Sequence, residues 1–182
     1  SETLSESLWQ LAQWMARYYC CSLSRVLKCL VPPNVRKETK AKELTFDEDE
    51  FFTTQPKTLN QEQKACFEEI CQSLHSGHFA THLLYGVTGS GKTEIYLQAI
   101  QETLSLGKSA LLLIPEIALT AQTIERFRAR FGVKLAILHH RRSLGERTAA
   151  WEGLKSGEIK IAIGARSAIF SPAPNLGLII ID

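Results

Sequence analysis

No two of the five cysteines stand in C-x-x-C spacing; they fall at Cys20, Cys21, Cys29, Cys66 and Cys71. The odd count and the adjacent pair argue against a disulfide framework and against a cysteine-based zinc site. Cys66 and Cys71 read instead as free thiols on the inner side of a helix. The chain also lacks any apolar run near the roughly 18 residues that a membrane-crossing helix needs. Its polar, acidic start is not a secretory signal. A cytoplasmic protein with no membrane partner is expected. Charge of one sign is scarce as well: 21 Lys and Arg against 19 Asp and Glu leave +2 at pH 7. Such a balance neither demands nor excludes nucleic acid. There is no internal repeat.

What is present suits a globular fold. The 182 residues are 45% hydrophobic and 22% charged, enough for one full-size domain with an appendage. Leu4, Leu8, Leu11, Met15 and Tyr18 recur at steps of three and four and predict a helix over residues 3–19. Leu23, Val26, Leu27 and Leu30 form a shorter stripe that Pro32 and Pro33 end. Residues 1–35 are therefore expected as a helical segment. Residues 36–57, with the acidic run Asp47–Glu50, read as a linker, with a small structured remnant around Phe46, Phe51 and Phe52 left open.

Residues 58–182 have a different pattern. Asn60 with Gln63 three residues on is a capping-box signature, and Cys66, Phe67, Ile70, Cys71 and Leu74 follow at helical spacing. Short apolar runs at 82–85, 110–114, 135–138, 159–163 and 178–181 then alternate with helical stretches. That alternation predicts an α/β fold, a mainly parallel sheet with helices on both faces.

Gly86-Val87-Thr88-Gly89-Ser90-Gly91-Lys92-Thr93 fits G-x-x-x-x-G-K-[ST] at every position. Glycines let the backbone wrap closely round phosphates, and the loop N–H groups with the following helix start attract anions. Lys92 is placed to reach the β- and γ-phosphates of ATP, and Thr93 to offer its hydroxyl to Mg²⁺. The run Leu178–Ile181 ends in Asp182. A buried strand that delivers an Asp at its carboxyl end is the Walker B arrangement, so Asp182 is expected to hold Mg²⁺ together with Thr93. Lys92 and Asp182 are the two residues expected to carry the chemistry. Hydrolysis also requires an acid that positions the attacking water and a cation from a partner lobe; no residue here obviously supplies the acid.

Two further stretches bear on nucleic acid. Pro115-Glu116-Ile117-Ala118-Leu119-Thr120 is expected to put Pro115 in the first turn of a helix and Glu116 near its positive end. Free N–H groups there suit a phosphate, and plain strand-to-helix capping is the alternative. Arg126, Arg128, Arg130, Lys134, Arg141, Arg142 and Arg147 read equally as a backbone-tracking patch or as a solvated face. His139 and His140 have no third ligand nearby and make a poor metal site.

Taken together, Gly86–Thr93, Pro115–Thr120, Leu138–His139, Glu146-Arg147 with Trp151, and Gly164-Ala165-Arg166-Ser167-Ala168 resemble the PriA-type replication-restart helicases, also called primosomal protein N′. Asn60 to Gln63 is similar to that family's entry into its motor, and Ile180-Ile181-Asp182 to the start of its D-E-E-H box. Trp14, Tyr18-Tyr19, Leu23, Val26-Leu27 and Pro32-Pro33 are similar to the end of its DNA-binding domain. The resemblance implies a RecA-like first lobe of a superfamily 2 motor that ends at its Walker B Asp. It implies 3′ to 5′ unwinding of forked or single-stranded DNA with ATP, in company with primosomal proteins and single-strand-binding protein. By position it implies that Gln63 reads the adenine edge and that Pro115, Glu116, Thr120, Arg166 and Ser167 lie along the DNA. The family's zinc is expected elsewhere in the full-length protein, not in this segment. His140 stands where the family has Ser and Ala165 where it has Thr. A winged-helix insertion has no room between Pro33 and Thr58. Another superfamily 2 translocase, or a truncated product that binds ATP or DNA without catalysis, remains the alternative.

Overall fold

The computed structural model describes residues 6–30, 54–132, 135–138 and 143–182. The linker reading of residues 36–53, its acidic run and phenylalanines, Lys134, and the His139-His140 and Arg141-Arg142 pairs lie outside them. Two short helices come first, α1 (Glu6–Tyr18) and α2 (Leu23–Leu30). They bury Ala12, Val26 and Leu30 between them, and Phe170 packs against that small cluster.

Helix α3 (Gln61–Ser76) opens on the capping box expected from its sequence. The Asn60 side chain accepts from the Gln63 N–H, and the Gln63 side chain accepts from the Asn60 N–H. The next helix, α4 (Lys92–Ser105), leads into strand β1 (Ser109–Leu113). There follow α5 (Ala121–Phe131), β2 (Leu135–Leu138), α6 (Leu144–Ser156), β3 (Ile161–Gly164), a 3-10 turn (Arg166–Phe170) and β4 (Leu176–Ile181). The four strands form one parallel sheet in the order β2-β3-β1-β4.

Alternation of side chains along β1 explains the layering. Ala110 and Leu112 face one cluster with Leu97 and Ile100 of α4 and Phe127 of α5. Leu111 and Leu113 face the other, with Ala150 and Leu154 of α6 and Ala168. A strand covered on both faces must be apolar throughout, and all five residues of β1 are buried. The expected α/β architecture, with a parallel sheet and helices on both faces, is what forms. Its consequence for chemistry is geometric: every strand's carboxyl end lies along one rim.

Two expectations need correction. Residues 82–85 form no strand. An extended segment becomes a strand only when its N–H and C=O groups meet those of a neighbour. Among the described residues nothing pairs with the outer edge of β4, and Leu83 and Tyr85 stand almost fully exposed. Pro115 also does not start a helix. It begins a turn in which its carbonyl accepts from Ala118 and Leu119. Helix α5 starts six residues later, where the Thr120 side chain accepts from the Thr123 N–H.

Phe127 is 1% exposed at the centre of the larger cluster. Phe127→Ala is expected to cost roughly 3–5 kcal/mol of stability, through lost transfer energy and the cavity left behind. Denaturant unfolding of the two proteins measures it.

Candidate functional site

The loop Gly86–Thr93 lies between the exposed segment and α4. Gly89 and Gly91 have φ of +83° and +88°, the left-handed region where a Cβ is strained. At Gly91 a Cβ would also collide with the amide nitrogen of Gln63. The loop can therefore turn tightly and expose its backbone N–H groups, which is what a phosphate cradle requires. The Lys92 ammonium donates to the carbonyls of Gly86 at 2.8 Å and Val87 at 3.1 Å. It lies folded over the mouth of the loop on neutral acceptors that an anion would outcompete.

Gln63 ties the loop to α3. Its Oε1 accepts from the Asn60 N–H at 3.0 Å, and its Nε2 donates to the Ser90 carbonyl at 2.8 Å. One side chain thus serves both the capping box and the loop. Amide chemistry leaves it one further N–H and one further lone pair.

Asp182 sits where β4 ends, its N–H donating to the Leu113 carbonyl at 3.0 Å. The Tyr96 hydroxyl, on α4, donates to Asp182 Oδ1 at 3.0 Å. Burial first, and then the hydrogen bond to and the charge of Asp182, push the Tyr96 phenol up to about 12. Thr93 and Asp182 line the same cleft, of about 840 Å³, as the loop and Gln63. A hydroxyl and a carboxylate are hard oxygen donors that suit Mg²⁺, which takes few protein ligands and fills its shell with water and phosphate. Among the described residues no group of three His, Cys, Asp or Glu could hold a metal by itself.

One wall of the cleft was not foreseen. Arg130 does not join a solvated basic face: its side chain is 5% exposed and its Nη2 lies 2.9 Å from Glu94 Oε1. Arg130 is three residues after Phe127, so it shares that residue's inward face of α5. The spacing carried this signal, masked by the neighbouring arginines. Glu94 in turn accepts from the Lys57 N–H and from Gln98, and Arg130 also donates to the Gln55 carbonyl. The Thr54 N–H donates to the Ala129 carbonyl at 2.7 Å. Residues 54–57 are thereby strapped across α4 and α5 at the edge of the cleft.

The residues predicted for nucleic acid gather on the same rim. Pro115 and Glu116 follow β1, Arg166 and Ser167 follow β3, and Arg166 lies 3.7 Å from Glu116 across the gap. Both are exposed, so the pair adds little stability. Thr120 is engaged as the cap of α5.

Burial alone would push the Glu94 carboxyl up. Hydrogen bonds from Gln98, Arg130 and the Lys57 N–H, with the Arg130 charge, outweigh it and hold the group below its ordinary value. A carboxyl depressed in the folded state adds stability at pH above its unfolded value, and that contribution is lost as pH falls through the folded value. Glu94→Ala should therefore cost roughly 3–5 kcal/mol at pH 7, because it leaves a buried guanidinium unpaired. The gap to the parent should narrow as pH drops below about 4, where an unfolded Glu is already largely protonated. Chemical denaturation across that pH range reads both.

Residues 60–182 match the family model for DEAD/DEAH box helicase, and residues 1–32 match that for 3'DNA-binding domain (3'BD). The chain is 50% identical over 144 residues to the replication restart protein PriA of Chlamydia pneumoniae, covering 78% of this chain and 19% of that protein. It is 44% identical over 161 residues to the protein of that name from Bacillus subtilis, covering 87% and 20%. With that of Haemophilus influenzae it shares 50% over 125 residues, covering 69% and 17%. The chain thus spans about a fifth of the length of these relatives. A helicase match implies use of nucleotide with Mg²⁺, and the second match supports DNA binding. No helix among the described residues is long and apolar enough to cross a membrane. With a phosphate-type loop, a strand-end Asp and a shared cleft on one parallel sheet, the chain belongs to the DEAD/DEAH box helicase family.

Proposed function

We propose that this chain is the nucleotide-binding lobe of an ATP-driven 3′–5′ DNA helicase of replication restart. One observation carries the reading: the loop Gly86–Thr93, Gln63 and Asp182 line a single cleft on the carboxyl rim of a parallel sheet. Residues 1–35 are then the end of a DNA-binding domain, 36–57 a linker whose last four residues are held against the lobe, and 58–182 the motor lobe. Forked or single-stranded DNA is the substrate, and primosomal proteins and single-strand-binding protein are the partners, in the cytoplasm.

When bound, ATP would supply the phosphoryl group transferred to water, and Mg²⁺ would offset the charge on its phosphates. The protein's own part is positioning and charge. Loop N–H groups from Gly86 to Gly91 cradle the phosphates, and the start of α4 adds its positive end. Lys92 leaves the Gly86 and Val87 carbonyls and donates to the β- and γ-phosphates. The Thr93 hydroxyl and the Asp182 carboxylate, which line the same cleft, would hold the metal. Gln63 uses its remaining N–H and lone pair on the adenine edge while it keeps the loop tied to α3.

The DNA path runs past Pro115–Thr120 and Gly164–Ser167. Arg166 donates to a backbone phosphate, for which a planar guanidinium is well shaped. Glu116, a carboxylate, repels phosphate and acts instead on Arg166, 3.7 Å away. The Ser167 hydroxyl and the N–H groups at the start of α5, capped by Thr120, complete the track.

Two outcomes are expected of the longer native protein. Lys92→Ala should abolish DNA-stimulated ATP hydrolysis; persistence of that activity would rule the reading out. Arg166→Ala should weaken single-stranded DNA binding and lower the slope of log affinity against log salt by about 0.7, the release of one phosphate's counterions. Fluorescence anisotropy at several salt concentrations measures it, and an unchanged slope removes Arg166 from the track.

A further inference from the structure

We infer that Tyr96 is a positioning residue for the metal: its hydroxyl holds one oxygen of the Asp182 carboxylate so that the other faces the ion. The inference rests on the nucleotide-site reading given above. Tyr96 lies on α4 one turn beyond Lys92 and three residues beyond Thr93, so it shares the face of the helix that carries the loop's working side chains. Its ring is half-buried against the larger core cluster. A packed aromatic ring has only two torsions to fix, so its hydroxyl stands at a set place relative to the sheet.

Asp182 needs such a support. Its backbone is fixed by the bond to Leu113, but its side chain would otherwise sample several rotamers. The 3.0 Å bond from Tyr96 occupies Oδ1. A phenol offers one O–H to donate and carries no charge, so it orients the carboxylate without neutralising it, as a Lys or Arg in its place would. The free oxygen, Oδ2, is then presented to the ion or to a water bound to it. Supporting partners that orient a metal-binding carboxylate tune metal affinity in this way.

The test compares the parent chain with Tyr96→Phe, which keeps the ring and removes one oxygen. Nucleotide affinity is measured by fluorescence with a labelled ATP, first in EDTA and then against rising Mg²⁺. The binding of Mn²⁺ to the nucleotide-loaded protein is followed separately by electron paramagnetic resonance. The expected result is an unchanged affinity in EDTA. The half-saturating Mg²⁺ and Mn²⁺ concentrations should rise about three- to tenfold, the equivalent of one lost hydrogen bond. On an Asp182→Asn background, Tyr96→Phe should add little, because its effect passes through the carboxylate. Equal metal dependence in parent and variant overturns the inference, and so does a loss that is the same with and without metal. Failure of the parent chain itself to bind labelled ATP would instead overturn the nucleotide-site reading; binding that Lys92→Ala abolishes upholds it.

Discussion

The structure depends on the parallel alignment of β1 with β4. Its last rung is the 3.0 Å bond from the Asp182 N–H to the Leu113 carbonyl. The register that sets Leu113 against Ile181 brings Asp182 to the level at which the chain leaves β1 for Pro115. The same sheet pairs Leu113 with Gly164 of β3 on its other side. Thus three stretches far apart in the chain, at Pro115, Arg166 and Asp182, emerge on one rim. A slip of one residue would also turn the apolar set of β1 to the wrong faces, which both core clusters resist.

Polar ties then bind the loop Gly86–Thr93 to what surrounds it. Gln63 spans from the cap of α3 to the Ser90 carbonyl. Glu94, directly after Thr93, meets Arg130 of α5 and the N–H of Lys57. Arg130 Nε and Nη1 are buried and have no hydrogen-bond partner among the described residues. The pair and its bonds to Gln55 and Lys57 fix the strap at residues 54–57 beside the loop.

The loop, the capping box, Asp182 and four of the five strands were legible because each is written in local spacing. Gly89, Gly91 and Lys92 are chemically distinctive, and β1, buried on both faces, has to be an unbroken apolar run. Residues 82–85 have the same composition but pair with no strand among the described residues, and composition does not encode a neighbour. Pro115 suggested a helix start, yet the Thr120 hydroxyl supplies the better cap, and the intervening turn follows from its carbonyl bonds. Arg130 was hidden among arginines, although its three-residue offset from Phe127 placed it inside. Tyr96 gave no sign at all, since its partner is 86 positions away in the chain.

The most direct measurement is a crystal structure of the chain with Mg²⁺ and a non-hydrolysable ATP analogue. The phosphates should lie in the loop Gly86–Thr93, with the Lys92 ammonium moved from the Gly86 and Val87 carbonyls onto them and the ion between Thr93 and Asp182. Phosphates bound elsewhere, or Lys92 still on its own carbonyls with the analogue present, would contradict the assignment of this cleft as the motor's nucleotide site.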